Sequence, residues 1–183
     1  AFVLLLLTSN TGSCGTLFAS GVYGLSLCIL YFCSAKYHHT QDPVKKLFYR
    51  KLDHISIYVL IAGTYTPYTL IFLSHSKGVL LFGIVWSIAL LGTFLKTFFT
   101  GRFEIISLLL YLVMGWLIVF DFTALALAVS PRAISLLIAG GGFYTAGILF
   151  YVWNSLKYNH VLWHLFVLAG SICHFFSIYL ELI

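Results

Sequence analysis

Six apolar stretches, each close to the roughly twenty residues that a helix needs to cross a bilayer, follow one another along the chain. Only 8% of the residues are charged, against about 25% in a soluble domain. A chain in lipid must satisfy its backbone hydrogen bonds internally, which long apolar helices do. The sequence therefore predicts an all-α, polytopic integral membrane protein. The predicted spans cover about 15–38, 54–73, 78–97, 104–120, 132–153 and 160–182.

A further helix is expected before these six. Phe2–Leu7 is an apolar run too short to cross a bilayer, and it lacks the basic flank of a signal peptide. We interpret residues 1–8 as the remnant of a truncated first helix. The expected fold is thus a seven-transmembrane helix bundle, with residues 1–183 forming a single membrane domain.

Basic residues are distributed unequally between the two sides of this predicted bundle. The connections on one side carry eight lysines and arginines, and those on the other side carry two. Cytoplasmic loops of membrane proteins hold the excess of these residues, so the N-terminus is predicted inside and the C-terminus outside. The net charge of +5 therefore reflects topology and does not indicate a nucleic-acid partner. The eight predicted cytoplasmic residues are Lys36, Lys45, Lys46, Arg50, Lys51, Lys96, Arg102 and Lys157.

This orientation predicts that four residues far apart in sequence lie at one membrane depth. His38 ends the first full span at its cytoplasmic side, and Asp53 begins the next span from that side. His160 and His164 begin the last span there, four residues apart and so on one helical face, about 6 Å from each other. Histidines at a membrane boundary indicate a functional site.

Three imidazoles with an open fourth position are typical of catalytic zinc. The sequence therefore predicts a Zn²⁺ site with His38, His160 and His164 as ligands. Asp53 is a candidate general base or orienting residue, and Ser34, one turn before His38, is a candidate hydrogen-bond donor to a bound water or substrate carbonyl. Histidines at an interface can also serve only to fix topology, and that alternative stays open.

Other polar residues fit structural roles better than a place in this site. His39 and His54 point about 100° away from their chosen neighbours, and His75 falls in an outer connection. His174 is about 15 Å deeper along the helix than His164, too far to share a metal ion. A structural hydrogen bond is its expected role, and a place in a substrate or proton path is the alternative. Asp121 ends a span on the outer side and is expected to be interfacial.

Several spaced motifs closely resemble the bacterial haemolysin III family, which belongs to the progestin and adipoQ receptor superfamily together with the adiponectin receptors. The resemblance covers nearly the whole chain. It implies a seven-helix membrane protein with zinc bound near the cytoplasmic face by His38, His160 and His164, with Ser34 and Asp53 beside it. The matching segments are Ser34–His38, Lys51–His54, Ile61–Pro67, Tyr111–Trp116, Tyr158–His164 and Cys173–Phe175.

The resemblance also implies a function. Eukaryotic relatives are linked to ceramidase activity, and the bacterial branch is associated with membrane homeostasis. The leading hypothesis is a zinc-dependent intramembrane hydrolase of a lipid amide or ester, located in a bacterial inner membrane, with membrane lipids as environment and substrate. A non-enzymatic, zinc-stabilised receptor or sensor is the second hypothesis. A pore-forming cytolysin is the third, suggested only by the family name.

Overall fold

A computed structural model describes residues 13–99, 101 and 103–182 of the chain. The expected helix remnant at 1–8 lies outside these residues. The described residues form helices joined by short turns, with no strand among them. The helices are α1 Cys14–His39, α2 Pro43–Pro67, α3 Gly78–Phe99, α4 Glu104–Trp116, α5 Phe122–Ala128, α6 Pro131–Val152 and α7 Asn159–Leu182.

Six of the described segments are helical, long and apolar enough to cross a membrane, which confirms the prediction of a polytopic, all-helical membrane protein. Two of them combine more than one helix. α2 continues through a π-helical turn, Tyr68–Phe72, and α4 continues through a 3₁₀ turn, Leu117–Asp121, into α5. The fourth segment therefore reaches Ala128 and does not stop at residue 120 as the sequence suggested.

The second helix begins well before the predicted start of its span at residue 54. Asp42 caps its N-terminus, because its carboxylate accepts hydrogen bonds from the backbone N–H groups of Val44 (2.9 Å) and Lys45 (3.0 Å). Pro43 occupies the first helical turn, where its missing N–H is not needed. The basic residues that were expected in a loop are consequently part of a helix.

The chain divides into two compact units, one ending at Asp121 and the other beginning at Phe122. In the first unit α2 packs against both α1 and α3. Two glycines permit this close packing, since a Cβ at Gly63 would overlap Ser26 and a Cβ at Gly92 would overlap the ring of Tyr58. Glycine is required at such positions because only a hydrogen atom fits between the helices.

The second unit is built on the packing of α6 against α7. Two hydrogen bonds between hydroxyl groups and the opposite helix support it: Ser177 donates to the carbonyl of Ala133 (2.7 Å), and the hydroxyls of Tyr144 and Ser171 are 2.8 Å apart. These polar contacts fix the register of the two helices, so the start of α7 is held on a defined partner. The organisation of both units as one membrane domain stays a prediction from the sequence.

Candidate metal site

The first turns of α7 bring two histidine side chains together. The helix begins at Asn159, whose side-chain oxygen accepts a hydrogen bond from the backbone N–H of His160 (2.8 Å). One turn later, the Nε2 atom of His164 lies 3.1 Å from the Nε2 atom of His160. The rings meet edge to face, with centroids 4.6 Å apart and an interplanar angle of 89°. The pair predicted from spacing is thus a direct contact between two ring nitrogens.

Two Nε2 atoms that face each other at this distance need a proton or a cation between them. A neutral imidazole carries one proton on its two nitrogens, so one ring can donate to the other, or both lone pairs can point at one cation. In a tetrahedral zinc site with Zn–N distances of about 2.0–2.1 Å, two ligating nitrogens are about 3.3 Å apart. The observed separation of 3.1 Å between His160 and His164 is close to that value, and it is also the distance of a hydrogen bond between a donating and an accepting ring nitrogen.

An aromatic side chain lies beside this pair. The ring of Tyr151, near the end of α6, lies 6.4 Å from the ring of His160 and 5.3 Å from that of Trp163. His160 itself is exposed, whereas His164 is half-buried. The pair is therefore accessible at His160, next to the ring of Tyr151.

In the first unit, Ser34 and His38 occupy the last two turns of α1. His38 is exposed and its ring lies 4.8 Å from that of Tyr37, while Ser34 is half-buried. On α2, Asp53 is half-buried and lies within electrostatic range of the Cys33 thiol. Cys33 precedes Ser34 on α1, so Asp53 lies near the part of α1 that carries Ser34. The roles of Asp53 and Ser34 in the site stay predictions.

The three histidines named from the sequence each offer a ring nitrogen to a metal ion. His38, His160 and His164 form a group that could hold such an ion. Imidazole donors suit zinc, copper, iron and nickel, so the donor set alone does not fix the identity of the metal.

The other histidines for which the structure shows partners have structural ones. The Nδ1 atom of His54 lies 2.8 Å from the carbonyl oxygen of Arg50. His174 packs between α6 and α7, and its Nε2 donates to the carbonyl of Leu137 at 3.2 Å. This is the buried structural hydrogen bond that the sequence suggested for His174.

Asp121 is also structural. Its carboxylate accepts hydrogen bonds from the hydroxyl of Ser76 (3.0 Å) and from the backbone N–H of Lys77 (2.9 Å). Because both donors lie in the turn between α2 and α3, Asp121 ties that turn to the end of the first unit.

One polar cluster of the first unit was missed in the sequence. Lys96 is buried, with 1% of its side chain exposed, and its ammonium group donates to the carboxylate of Glu104 at 2.7 Å. Arg50 lies 3.8 Å and His54 3.9 Å from the same carboxylate. The proximity of Lys96 and Glu104 in sequence, across a short connection between α3 and α4, was the signal that could have revealed this pair.

Comparison with known proteins agrees with the motifs. The family described as "Haemolysin-III related" matches residues 1–175. The chain is similar to a protein named Hemolysin-3 from Bacillus cereus, with 41% identity over 96% of this chain and 80% of that protein. It is 40% identical to a Hemolysin-3 homolog of Bacillus subtilis over 96% of this chain and 82% of the homolog.

A more distant similarity extends to an animal protein. The human monocyte to macrophage differentiation factor is 25% identical over 95% of this chain and 74% of its own length. No solved structure matches the chain significantly. Because the family match spans nearly all of the sequence, this chain belongs to the haemolysin-III related family of membrane proteins.

Proposed function

We propose that this protein is a zinc-dependent intramembrane hydrolase that cleaves a lipid amide or ester, as ceramidases do. The observation that carries the proposal is the 3.1 Å approach of the Nε2 atoms of His160 and His164. Two imidazole nitrogens 3.1 Å apart, near the separation of two nitrogen ligands of tetrahedral zinc, support a metal site at this pair.

His38 is the proposed third ligand. Like the pair, it is located at the end of a membrane-spanning helix that the distribution of basic residues assigns to the cytoplasmic side. Three histidines leave one coordination position for water or substrate, the arrangement of catalytic zinc. A fourth protein ligand would favour a purely structural site, and the proposed set contains three.

Bound zinc would supply a Lewis acid that polarises a carbonyl oxygen and makes hydroxide available near neutral pH. Residues of the chain carry out the remaining steps. Asp53 accepts the proton of the attacking water and returns it to the leaving amine or alcohol, as a general base and then a general acid. Ser34 donates a hydrogen bond that orients the water or the substrate carbonyl. His38, His160 and His164 hold their nitrogens fixed.

The substrate class follows from the surroundings of the site. The helix ends that carry these residues border apolar spans, and exposed aromatic and aliphatic side chains flank them, such as Tyr158, Val161 and Leu165. The linkage between a lipid's polar head and its acyl chain lies at this boundary between apolar and polar side chains, which supports a lipid substrate. We propose that the enzyme acts in a bacterial inner membrane and serves membrane homeostasis.

Metal analysis coupled to lipid analysis tests this function. Purified wild-type protein is expected to contain near-stoichiometric zinc and to release fatty acids from a panel of ceramides and phospholipids. His38→Ala, His160→Ala and His164→Ala should each lose zinc and turnover. His75→Ala is the matched control, because His75 is exposed in the turn between α2 and α3 and should retain both.

Asp53→Asn separates metal binding from catalysis. It should retain zinc yet lose turnover by about 10²-fold or more, since it removes the proton acceptor and not a ligand. Zinc in the wild type without release of any fatty acid, together with lower thermal stability of the histidine variants, would support the zinc-stabilised receptor or sensor instead. Conductance in reconstituted bilayers that survives loss of all three histidines would support the pore-forming alternative.

A further inference from the structure

The first part of α2, Pro43–Lys51, extends beyond the thickness of the membrane core. We call this segment the α2 extension. Together with its π turn the second membrane segment has 30 residues, which at 1.5 Å per residue is about 45 Å, against a hydrocarbon core of about 30 Å. The buried residues of α2 begin only at Ser56. About a third of the segment therefore lies outside the hydrocarbon, and the α2 extension is that third.

One face of the α2 extension is apolar and exposed. Val44, Leu47 and Phe48 have 78%, 60% and 57% of their surface exposed. They follow the spacing i, i+3, i+4 and so lie on one side of the helix. An apolar face of this kind at the headgroup level is typical of a helix that partly enters the boundary between headgroups and acyl chains.

The other face of the α2 extension is basic. Lys45 and Lys46 are exposed on it, and no acidic residue occurs within Pro43–Lys51. Lys46 lies over the ring of Tyr37 near the end of α1, with its Nζ atom 5.9 Å from the ring centroid. The basic surface therefore continues from α2 onto the end of α1. The carboxylate of Asp42, the nearest acidic group in sequence, is occupied as the helix cap.

The C-terminal end of the α2 extension is fixed to the rest of the first unit. Arg50 lies 3.8 Å from Glu104, and the ammonium of Lys51 donates to the carbonyl of Thr97 at 3.3 Å. Both contacts join the last turn of the α2 extension to α3 or α4. The apolar and basic faces are therefore presented in a fixed orientation and are not those of a flexible loop.

We propose that the α2 extension is a binding site for anionic phospholipids, with Lys45 and Lys46 contacting the headgroup phosphate and Val44, Leu47 and Phe48 packed against the apolar part of the lipid at the boundary between headgroups and acyl chains. Charge complementarity selects this occupant, because a basic face beside an apolar face on one helix matches a lipid that joins a negative headgroup to hydrocarbon tails. A basic residue near an anionic membrane surface contributes about 1 kcal/mol, which is about fivefold in affinity. The inference is independent of whether the protein hydrolyses lipids.

Native mass spectrometry of the full chain in detergent tests the site, with phosphatidylglycerol and phosphatidylcholine as separate probes. The wild type should bind its first phosphatidylglycerol several-fold more tightly than phosphatidylcholine. Lys45→Gln/Lys46→Gln should weaken phosphatidylglycerol binding by at least fivefold and leave phosphatidylcholine binding unchanged. High salt should reduce the preference of the wild type in the same direction.

The matched control is Lys77→Gln/Arg132→Gln, which removes two exposed positive charges that the distribution of basic residues assigns to the outer side of the membrane. It should stay within about twofold of the wild type, since the bilayer between these charges and the α2 extension is thicker than the Debye length. Equal losses in both double variants, or no preference for phosphatidylglycerol in the wild type, would overturn the proposal. Displacement of bound lipid by glycerol phosphate at equal concentration would also overturn it, because the apolar face would then contribute nothing.

Discussion

Two polar clusters among the described residues differ in the groups that face each other within them. In the first unit, the carboxylate of Glu104 faces three groups that carry or can accept a positive charge, with Lys96 at 2.7 Å, Arg50 at 3.8 Å and His54 at 3.9 Å. In the second unit, His160 and His164 face each other with the same kind of atom, 3.1 Å apart. The first cluster is complementary within itself, whereas the second needs a proton or a cation between its nitrogens.

This difference distinguishes a structural cluster from the proposed ligand site. The side chain of Lys96 is buried against a carboxylate, and removing that partner is costly. Two facing imidazole nitrogens can share one proton in a hydrogen bond or can both bind one cation, and the predictions on metal removal decide between the two. The predictions below test this distinction from the largest expected effect to the smallest.

Metal removal should affect stability only through the three proposed histidine ligands. A ligand present at 1,000 times its dissociation constant stabilises the folded state by about 4 kcal/mol. A strong chelator is therefore expected to lower the thermal midpoint of the wild type in detergent by many degrees. His164→Ala should show a lower midpoint without chelator and no further change with it. A wild-type thermal midpoint that the chelator does not change would contradict the metal site. So would a thermal midpoint of His164→Ala that the chelator still lowers.

Glu104→Gln should destabilise the first unit without affecting the metal. It leaves the ammonium of Lys96, with 1% of the side chain exposed, without its carboxylate, and breaking a buried ion pair in this way costs about 3 kcal/mol or more. Thermal unfolding in detergent measures the loss, and metal analysis should give the same zinc content as the wild type.

A double variant provides the control for Glu104→Gln. Lys96→Met/Glu104→Leu replaces both partners by apolar side chains of similar size, which is often nearly neutral. It should recover most of the stability that Glu104→Gln loses. A double variant that is less stable than Glu104→Gln would show that Lys96 and Glu104 do not act as a pair.

Three glycines follow one another in α6, and the packing of the second unit should depend on one of them. A Cβ at Gly140 would overlap the ring of His174, so Gly140→Ala should destabilise the protein by about 1–3 kcal/mol. Gly141 has no atom within 4 Å of the Cβ position, and Gly141→Ala should be neutral or stabilising by up to about 1 kcal/mol. Equal thermal midpoints of the two variants would contradict the close approach of α6 and α7.

The features that were predicted from the sequence are those set by local periodicity or by the bilayer. Span lengths follow from membrane thickness, so the described helices fall where the apolar stretches are. The contact of His160 with His164 follows from helical geometry alone, since residues four apart share a face. The early start of α2 was missed because a run of basic residues suggested a loop, although Asp42 and Pro43 form a helix-start signal.

The features that could not be predicted depend on how helices approach each other. The short separation of Lys96 and Glu104 in sequence could have suggested their pairing, but the burial of Lys96 depends on how its helix packs against its neighbours. The hydrogen bond from His174 to Leu137 requires the register of α6 on α7, which Gly140 helps to set. A single sequence shows the glycine but not which residue of another helix packs against it, so these contacts become visible only in three dimensions.

His174→Leu should give the smallest effect on stability. It measures the contribution of a histidine that only forms a structural hydrogen bond. Its Nε2 donates to the carbonyl of Leu137 at 3.2 Å, and that carbonyl keeps its place in the hydrogen-bond ladder of α6 when the imidazole is removed. The expected loss is therefore that of one hydrogen bond, about 0.5–1.5 kcal/mol, seen as a small decrease in the thermal midpoint. Zinc content should be unchanged, in contrast to His164→Ala ten residues earlier on the same helix. If His174→Leu released the metal as well, the histidines of α7 would act as one connected system and the division between a structural histidine and a ligand pair would fail.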